Sequence, residues 1–135
     1  MSTLRSRLTL AAAGLGWVAA VRVMLAVPGA ALPRRLEWVD ATAARLPRLA
    51  CGAEDAARAV TEAARRVPGV RCLAWTLALR GMVGQAGLRS EVRIGVATAG
   101  AGTIKAHAWL ECDGRVWTFR DDVAGYAALW PPAAS

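Results

Sequence analysis

Apolar residues in the first half of the chain recur every three or four positions, which is the spacing of amphipathic α-helices. Prolines and glycines divide this half into segments, with Pro28 and Pro47 ending two of them and Pro68-Gly69 ending a third. A fourth segment begins at Cys72 and consists of strong helix formers. The pattern predicts four helices, at about residues 8–27, 33–46, 53–66 and 72–83.

The second half of the chain changes to the alternating pattern of β-strands. Apolar residues of the segment 92–96 alternate with other residues, and Asp113-Gly114 is a typical hairpin turn between two further strands. In the tail, Tyr126 and Leu129 lie at helical spacing. Helices followed by an antiparallel meander predict an α+β fold. The three strands are expected at about residues 92–96, 104–112 and 115–120.

The size and charge of the chain limit the classes of function. Its 135 residues suffice for one domain, in which we interpret residues 1–50 as an apolar helical part and residues 51–135 as the functional core. A hydrophobic fraction of 56% excludes a disordered chain. The formal charge is +7, but the basic residues form no run longer than two, so we expect no nucleic-acid partner. A basic surface favours an acidic or extended peptide instead.

Cysteine usage and the N-terminal segment bear on location. Three cysteines and one histidine are poor material for a disulfide framework or a structural zinc site, so we expect a reducing, cytoplasmic setting.

The uncharged run 8–21 is shorter than the roughly 20 residues of a spanning helix. Arg5 and Arg7 before it resemble the start of a signal peptide. We interpret the run as a buried core helix, with a signal peptide or membrane contact as the alternative.

Cys72 and His107 form the candidate catalytic pair. The N–H groups and dipole at a helix N-terminus stabilise a thiolate, and the same N–H groups can stabilise an oxyanion. His107, the only histidine, lies in the middle of a predicted strand and can accept the thiol proton and return it to a leaving amine. Trp109 shares its face of the strand, and we expect it to contact substrate. Cys51, in a linker, and Cys112, on the apolar face, are weaker candidates.

A third residue is needed to orient the imidazole, and the chain after Asp113-Gly114 supplies two carboxylates. A strict two-residue turn puts Asp122 on the face of His107. A bulged turn shifts the register by one residue and sets Asp121 opposite His107 instead. Glu111 shares the face in either register but lies nearer the turn.

Three segments carry a family resemblance: Pro68-Gly-Val-Arg-Cys-Leu-Ala-Trp-Thr-Leu-Ala-Leu-Arg-Gly, then Arg93-Ile-Gly-Val, then Ala106-His-Ala-Trp-Leu-Glu with Asp113-Gly. Over about residues 55–130 the chain resembles the transglutaminase-like superfamily. More narrowly, it is similar to the lasso peptide biosynthesis peptidases, which remove the leader from a lasso precursor. The apolar N-terminal part is also similar to what precedes the catalytic core in that family.

The resemblance implies a papain-like Cys-His-acid site with Cys72 as nucleophile and His107 as general base, a chemistry that requires no metal or organic cofactor. It implies three partners: a precursor peptide with its leader, a separate leader-recognition protein and a lasso cyclase. The family more often has an acid where this chain has Phe119. The acid role then passes to Asp121 or Asp122 or is absent, and we prefer Asp121 because a bulged hairpin puts it on the His107 face.

The expected activity is hydrolysis of one peptide bond in the precursor. Two alternatives stay open. An acyltransferase or amide-forming transglutaminase relative would use the same acyl-enzyme with an amine acceptor, and a non-catalytic peptide-binding scaffold would lack the acid altogether.

Overall fold

A computed structural model describes residues 3–98, 100, 102–120 and 125–131, which form four helices and four strands. The helices are α1 (Leu4–Ala26), α2 (Leu32–Arg45), α3 (Ala53–Ala64) and α4 (Cys72–Gln85). The strands are β1 (Ser90–Thr98), β2 (Ile104–Cys112), β3 (Arg115–Trp117) and β4 (Ala127–Trp130). The predicted α+β class is confirmed, and α4 begins at Cys72 as the sequence indicates.

The strands form one antiparallel sheet in the order β3-β2-β1-β4. β1 and β2 pair along their whole length, from Ser90 opposite Cys112 to Thr98 opposite Ile104. Residues directly opposite each other share a face of the sheet. The face that carries Val92 and Leu110 therefore contributes to the hydrophobic core, whereas His107 and Trp109 lie on the other face.

The β2–β3 hairpin closes with a strict two-residue turn. Cys112 pairs with Arg115, and both turn residues have positive φ, 55° at Asp113 and 69° at Gly114. Two central residues with positive φ are typical of the hairpin turn whose twist matches that of the strands. The bulged register, on which the preference for Asp121 rests, is wrong for this hairpin.

The tail forms a strand, so the helical spacing of Tyr126 and Leu129 predicts the wrong element. β4 pairs with the edge of β1 that β2 leaves open, with Trp130 opposite Ile94 and a register shift before Gly95. An open strand edge presents unpaired N–H and C=O groups, and an apolar segment that satisfies them gains those hydrogen bonds as well as burial.

α4 is the central helix of the core, because α1, α2, α3 and the two central strands all pack against it. A helix that is apolar on nearly all sides is typical of such a position. Its fully buried residues include Trp75, Leu77, Leu79, Met82 and Val83.

Two glycines let α1 approach the core closely. A Cβ at Gly14 would lie 2.8 Å from the carbonyl oxygen of Ala59 in α3, and a Cβ at Gly81 of α4 would overlap the ring of Trp17. The Trp17 indole N–H donates to Gln85 Oε1 at 2.9 Å inside this contact. One face of α1 is thus held in the core, while much of the rest of the helix is exposed.

Candidate active site

Cys72 is the first residue of α4 and is half-buried. The preceding Arg71 has an extended backbone, with φ −114° and ψ −175°, and its side chain makes no capping hydrogen bond. The first N–H groups of a helix have no partner within the helix. Together with the positive end of the helix dipole, those of α4 can stabilise negative charge on the Cys72 sulfur or on an oxyanion beside it.

His107 lies near the middle of β2, opposite Gly95, and is 3% exposed. Its Nε2 lies 2.6 Å from Oγ1 of Thr118, the residue that follows β3. A hydroxyl that accepts a hydrogen bond from Nε2–H selects the tautomer in which Nδ1 carries the lone pair. Thr118 thus has the geometry of a group that orients the imidazole.

The sequence analysis missed Thr118. In the strict hairpin register Leu110 pairs with Trp117, so the next residue, Thr118, falls on the face that carries His107. The strict hairpin register, one of the two that the sequence allows, would have placed Thr118 beside His107, but a threonine does not resemble a catalytic acid. Asp121 and Asp122, the predicted acids, both lie outside the described residues.

Aromatic rings enclose the imidazole. The ring centroid of His107 lies 6.2 Å from that of Trp109 and 5.4 Å from that of Tyr126. Trp109 and Tyr126 meet edge to face, with centroids 6.3 Å apart. Trp109 is itself buried, so it forms part of the wall around His107, and substrate contact by Trp109 stays a prediction.

Gly95 makes room for this wall. A Cβ at Gly95 would lie 2.7 Å from the Trp109 ring and 3.0 Å from the carbonyl oxygen of Ala127. A glycine in a strand interior is a common sign of such close approach. Glu111, which shares the face of His107, forms an ion pair with Arg93 at 3.0 Å and is engaged there.

Stacked rings join α4 to the residues that follow β3. Trp75, one turn after Cys72, stacks on Phe119, with centroids 5.6 Å apart and an interplanar angle of 13°. Phe119 directly follows Thr118, the partner of His107. These contacts seat α4 on the sheet face that carries Val92 and Leu110, whereas His107 lies on the other face of β2. Among the described residues no hydrogen bond joins Cys72 to His107, and catalytic hydrogen bonds are often long before substrate binds.

The other two cysteines have the properties of structural thiols. Burial, and to a lesser extent the carboxylate of Asp113, raises the pKa of Cys112 above its ordinary value. Burial, followed by the charge of Asp55, raises the pKa of Cys51. Both thiols are therefore less ionised at neutral pH than an ordinary cysteine, and neither competes well as a nucleophile.

A groove of about 650 Å³ lies elsewhere, between α2, α4 and the β2–β3 turn. Neither Cys72 nor His107 lines it. Within it, Arg80 forms a two-pronged ion pair with Asp40 and donates to the carbonyl oxygen of Ser90. We treat this groove as separate from the candidate site.

Four helices packed on a small antiparallel sheet form an α+β domain, with a cysteine as the first residue of the central helix and a histidine on a central strand. Residues 3–131 match the family model of the transglutaminase-like superfamily, and the chain belongs to this superfamily. Its members are typically cysteine-protease-like enzymes, so membership fits a cysteine peptidase or acyltransferase. Comparison with curated proteins and with solved structures gives no match.

Proposed function

We propose that this protein is a cysteine peptidase that removes the leader from a ribosomally made lasso precursor peptide. The observation that carries the proposal is the position of Cys72 as the first residue of the buried helix α4, which packs against the strand of His107. The family resemblance of the segments around these two residues supports the narrower assignment to leader removal.

The reaction uses an acyl-enzyme. The Cys72 thiolate attacks the carbonyl carbon of the last leader residue, and N–H groups at the start of α4 stabilise the oxyanion. The imidazolium of His107 then gives its proton to the leaving amine, which departs as the N-terminus of the core peptide. Water, deprotonated by His107, attacks the thioester, and the leader leaves with a free carboxylate while Cys72 is regenerated.

Thr118 supports the base in this scheme. The Thr118 hydroxyl lies 2.6 Å from Nε2, and an Nε2–H donated to it would hold the imidazole in the tautomer whose Nδ1 acts on the thiol. The hairpin register removes the bulge that favoured Asp121, so Asp121 and Asp122 are equal candidates for the carboxylate of the site.

The proposed activity implies partners and a location. A separate leader-recognition protein presents the precursor, and a lasso cyclase acts on the freed core peptide. We expect the leader to be cleaved in the cytoplasm, where free thiols persist.

The direct test is incubation of the purified protein with candidate precursor peptides, with and without a leader-recognition protein, read by mass spectrometry. We expect two products whose masses sum to precursor plus water, and no cleavage by Cys72→Ala. Cys51→Ala is the matched control and should keep wild-type cleavage. Full activity of Cys72→Ala contradicts the proposal, and a product in which an amine has replaced water assigns the protein to the acyltransferases.

Thiol reactivity separates an enzyme from a non-catalytic scaffold. Iodoacetamide at neutral pH should label Cys72 before Cys51 and Cys112, whose pKa values are raised by burial. Peptide mapping after a short exposure gives the order. Equal and slow labelling of all three cysteines favours the scaffold.

A further inference from the structure

The outer face of α1 is apolar and has no cover among the described residues. Four large side chains along it, and Val27 directly after its last residue, are exposed: Leu4 (73%), Leu8 (62%), Leu15 (44%), Val23 (66%) and Val27 (59%). They lie on the side of the helix opposite Gly14, Trp17, Val18 and Val21, which are buried against α3 and α4. With 23 residues, α1 is about 34 Å long, so this outer stripe is a long linear surface.

The stripe continues into a shallow apolar groove between α1 and α2. The groove has a volume of about 610 Å³ and is lined by Val23, Val27 and Trp38, the last 41% exposed. Arg35 fixes its shape, because its guanidinium donates to the carbonyl oxygens of Met24 and Val27 at the end of α1. Exposed apolar surface of this extent is characteristic of protein or membrane contact.

We propose that α1 lies flat on an anionic lipid surface, with its outer stripe among the acyl chains and its axis parallel to the membrane. This goes beyond the proposed peptidase activity and does not rest on it.

Charge favours lipid as the occupant. The charged residues of α1 are Arg5, Arg7 and Arg22, with no acid among its 23 residues, and the whole chain carries +7. Arg5 and Arg7 are exposed near the N-terminus of α1, Arg5 beside the stripe and Arg7 on the helix face of Gly14, and Trp38 flanks the other end of the stripe. Basic residues with an aromatic residue beside an apolar helix face are the pattern of helices that bind anionic membrane interfaces.

The inner face of α1 argues for a flat rather than a spanning orientation. By length and composition α1 is the one helix of the described residues that could cross a membrane. Crossing would separate Trp17 from Gln85 and Gly81, and Gly14 from the backbone of α3. It would also remove Arg22 from the carbonyl oxygen of Pro68, to which its guanidinium donates at 3.3 Å. A flat helix keeps all these contacts and still buries the outer stripe.

Vesicle flotation of the full chain tests the proposal. We expect the protein to float with vesicles of equal parts phosphatidylglycerol and phosphatidylcholine, and much less with phosphatidylcholine alone. The double variant Leu8→Gln, Leu15→Gln should bind at least about tenfold more weakly, because each leucine loses its burial in lipid. The double variant Ile104→Gln, Leu129→Gln removes two side chains of similar exposure, 69% and 63%, from the sheet and should bind as wild type does.

A second variant and two further measurements distinguish a flat helix from a dimer and from a spanning helix. Arg5→Gln with Arg7→Gln should abolish the preference for phosphatidylglycerol. Light scattering without lipid should give a monomer, and alkaline carbonate should release the bound protein. The proposal is overturned by absence of flotation, by equal loss in the sheet control, by a dimer that the Leu8, Leu15 variant dissociates, or by retention in carbonate, which would mean a spanning helix.

Discussion

The rings of Trp75 and Phe119 stack with centroids 5.6 Å apart, and the Arg120 guanidinium lies over the Phe119 ring, 4.6 Å from its centroid. This stack gives the aromatic ring at residue 119, where the family resemblance would imply an acid, a structural role. The side chain at residue 119 packs into the helical core and is 7% exposed. The neighbouring residue, Thr118, contacts the imidazole instead.

Phe119→Asp should therefore destabilise the protein rather than restore an acid to the site. A carboxylate at this position would be buried against Trp75, and because the neighbouring Arg120 guanidinium offsets only part of the desolvation, the change should cost on the order of 3 kcal/mol in unfolding free energy. Chemical denaturation measures that loss. Phe119→Leu keeps most of the apolar burial but loses the stacking, so it should cost about 1–2 kcal/mol.

A gain of cleavage in Phe119→Asp would contradict this reading. It would show that residue 119 can turn toward His107 and act as the missing acid. The same experiment with Val116→Asp, at a 47% exposed position of β3 opposite Glu111, controls for an added charge and should cost much less stability than Phe119→Asp, because its carboxylate stays in solvent.

Thr118→Val should lower kcat by about tenfold with little change in KM, because one hydrogen bond that orients the imidazole is lost. Thr118→Ser keeps the hydroxyl and should restore most of the activity. The dependence of kcat on pH distinguishes loss of this hydrogen bond from a general loss of folding. Loss of the hydrogen bond should shift the acidic limb of the pH–rate profile in Thr118→Val, whereas partial unfolding should lower the rate at every pH.

Asn substitutions at Asp121 and Asp122 complete the comparison. If Thr118→Val cleaves as fast as wild type while Asp121→Asn or Asp122→Asn abolishes cleavage, the carboxylate alone orients His107 and the role of Thr118 is wrong. The proposed arrangement expects a measurable loss in Thr118→Val whatever the carboxylates contribute.

The local elements were predictable because each has its own signal within a few residues. Proline cannot continue a helix whatever the surrounding structure, so the helices end before Pro28, Pro47 and Pro68-Gly69. Asp113-Gly114 likewise favours one type of tight hairpin turn. The same local reasoning placed Cys72 at the start of α4.

Long-range relationships were not predictable. β4 forms because the tail pairs with the open edge of β1. The spacing of apolar residues in the tail carries no information about that distant strand. Thr118 reaches His107 only because the hairpin has its strict register, and the sequence allowed two registers. The inward turn of Phe119 depends on Trp75, which is 44 residues away in the chain.

Alkaline pH should weaken the fold through Cys112 and Cys51. Burial holds both thiol pKa values above 9.0 in the folded state, while the unfolded chain releases these protons near that value. The stabilisation is fully present below pH 9.0 and is lost as pH rises through the raised values, because the folded state then binds more protons than the unfolded state. The slope is at most about 1.4 kcal/mol per pH unit for each thiol.

Urea unfolding at several pH values above neutral measures this slope. The double variant Cys51→Ala, Cys112→Ala should start from a lower stability, since it loses buried side-chain volume, but its stability should fall less steeply. A slope equal to that of wild type would show that other groups cause the alkaline loss.

Substitution by alanine should change stability in opposite directions at Gly81 of α4 and Gly16 of α1. A Cβ at Gly81 would overlap the Trp17 ring, so Gly81→Ala should destabilise the protein by about 1–3 kcal/mol despite the better helix propensity of alanine. Gly16 is also helical, but a Cβ there meets nothing within 4 Å, so Gly16→Ala should stabilise by about 0.5–1 kcal/mol. Thermal and urea unfolding of the two variants give the sign directly. If Gly81→Ala were as stable as wild type, α1 would not be seated on α4 as described, and the argument that it lies flat on a membrane would lose its support as well.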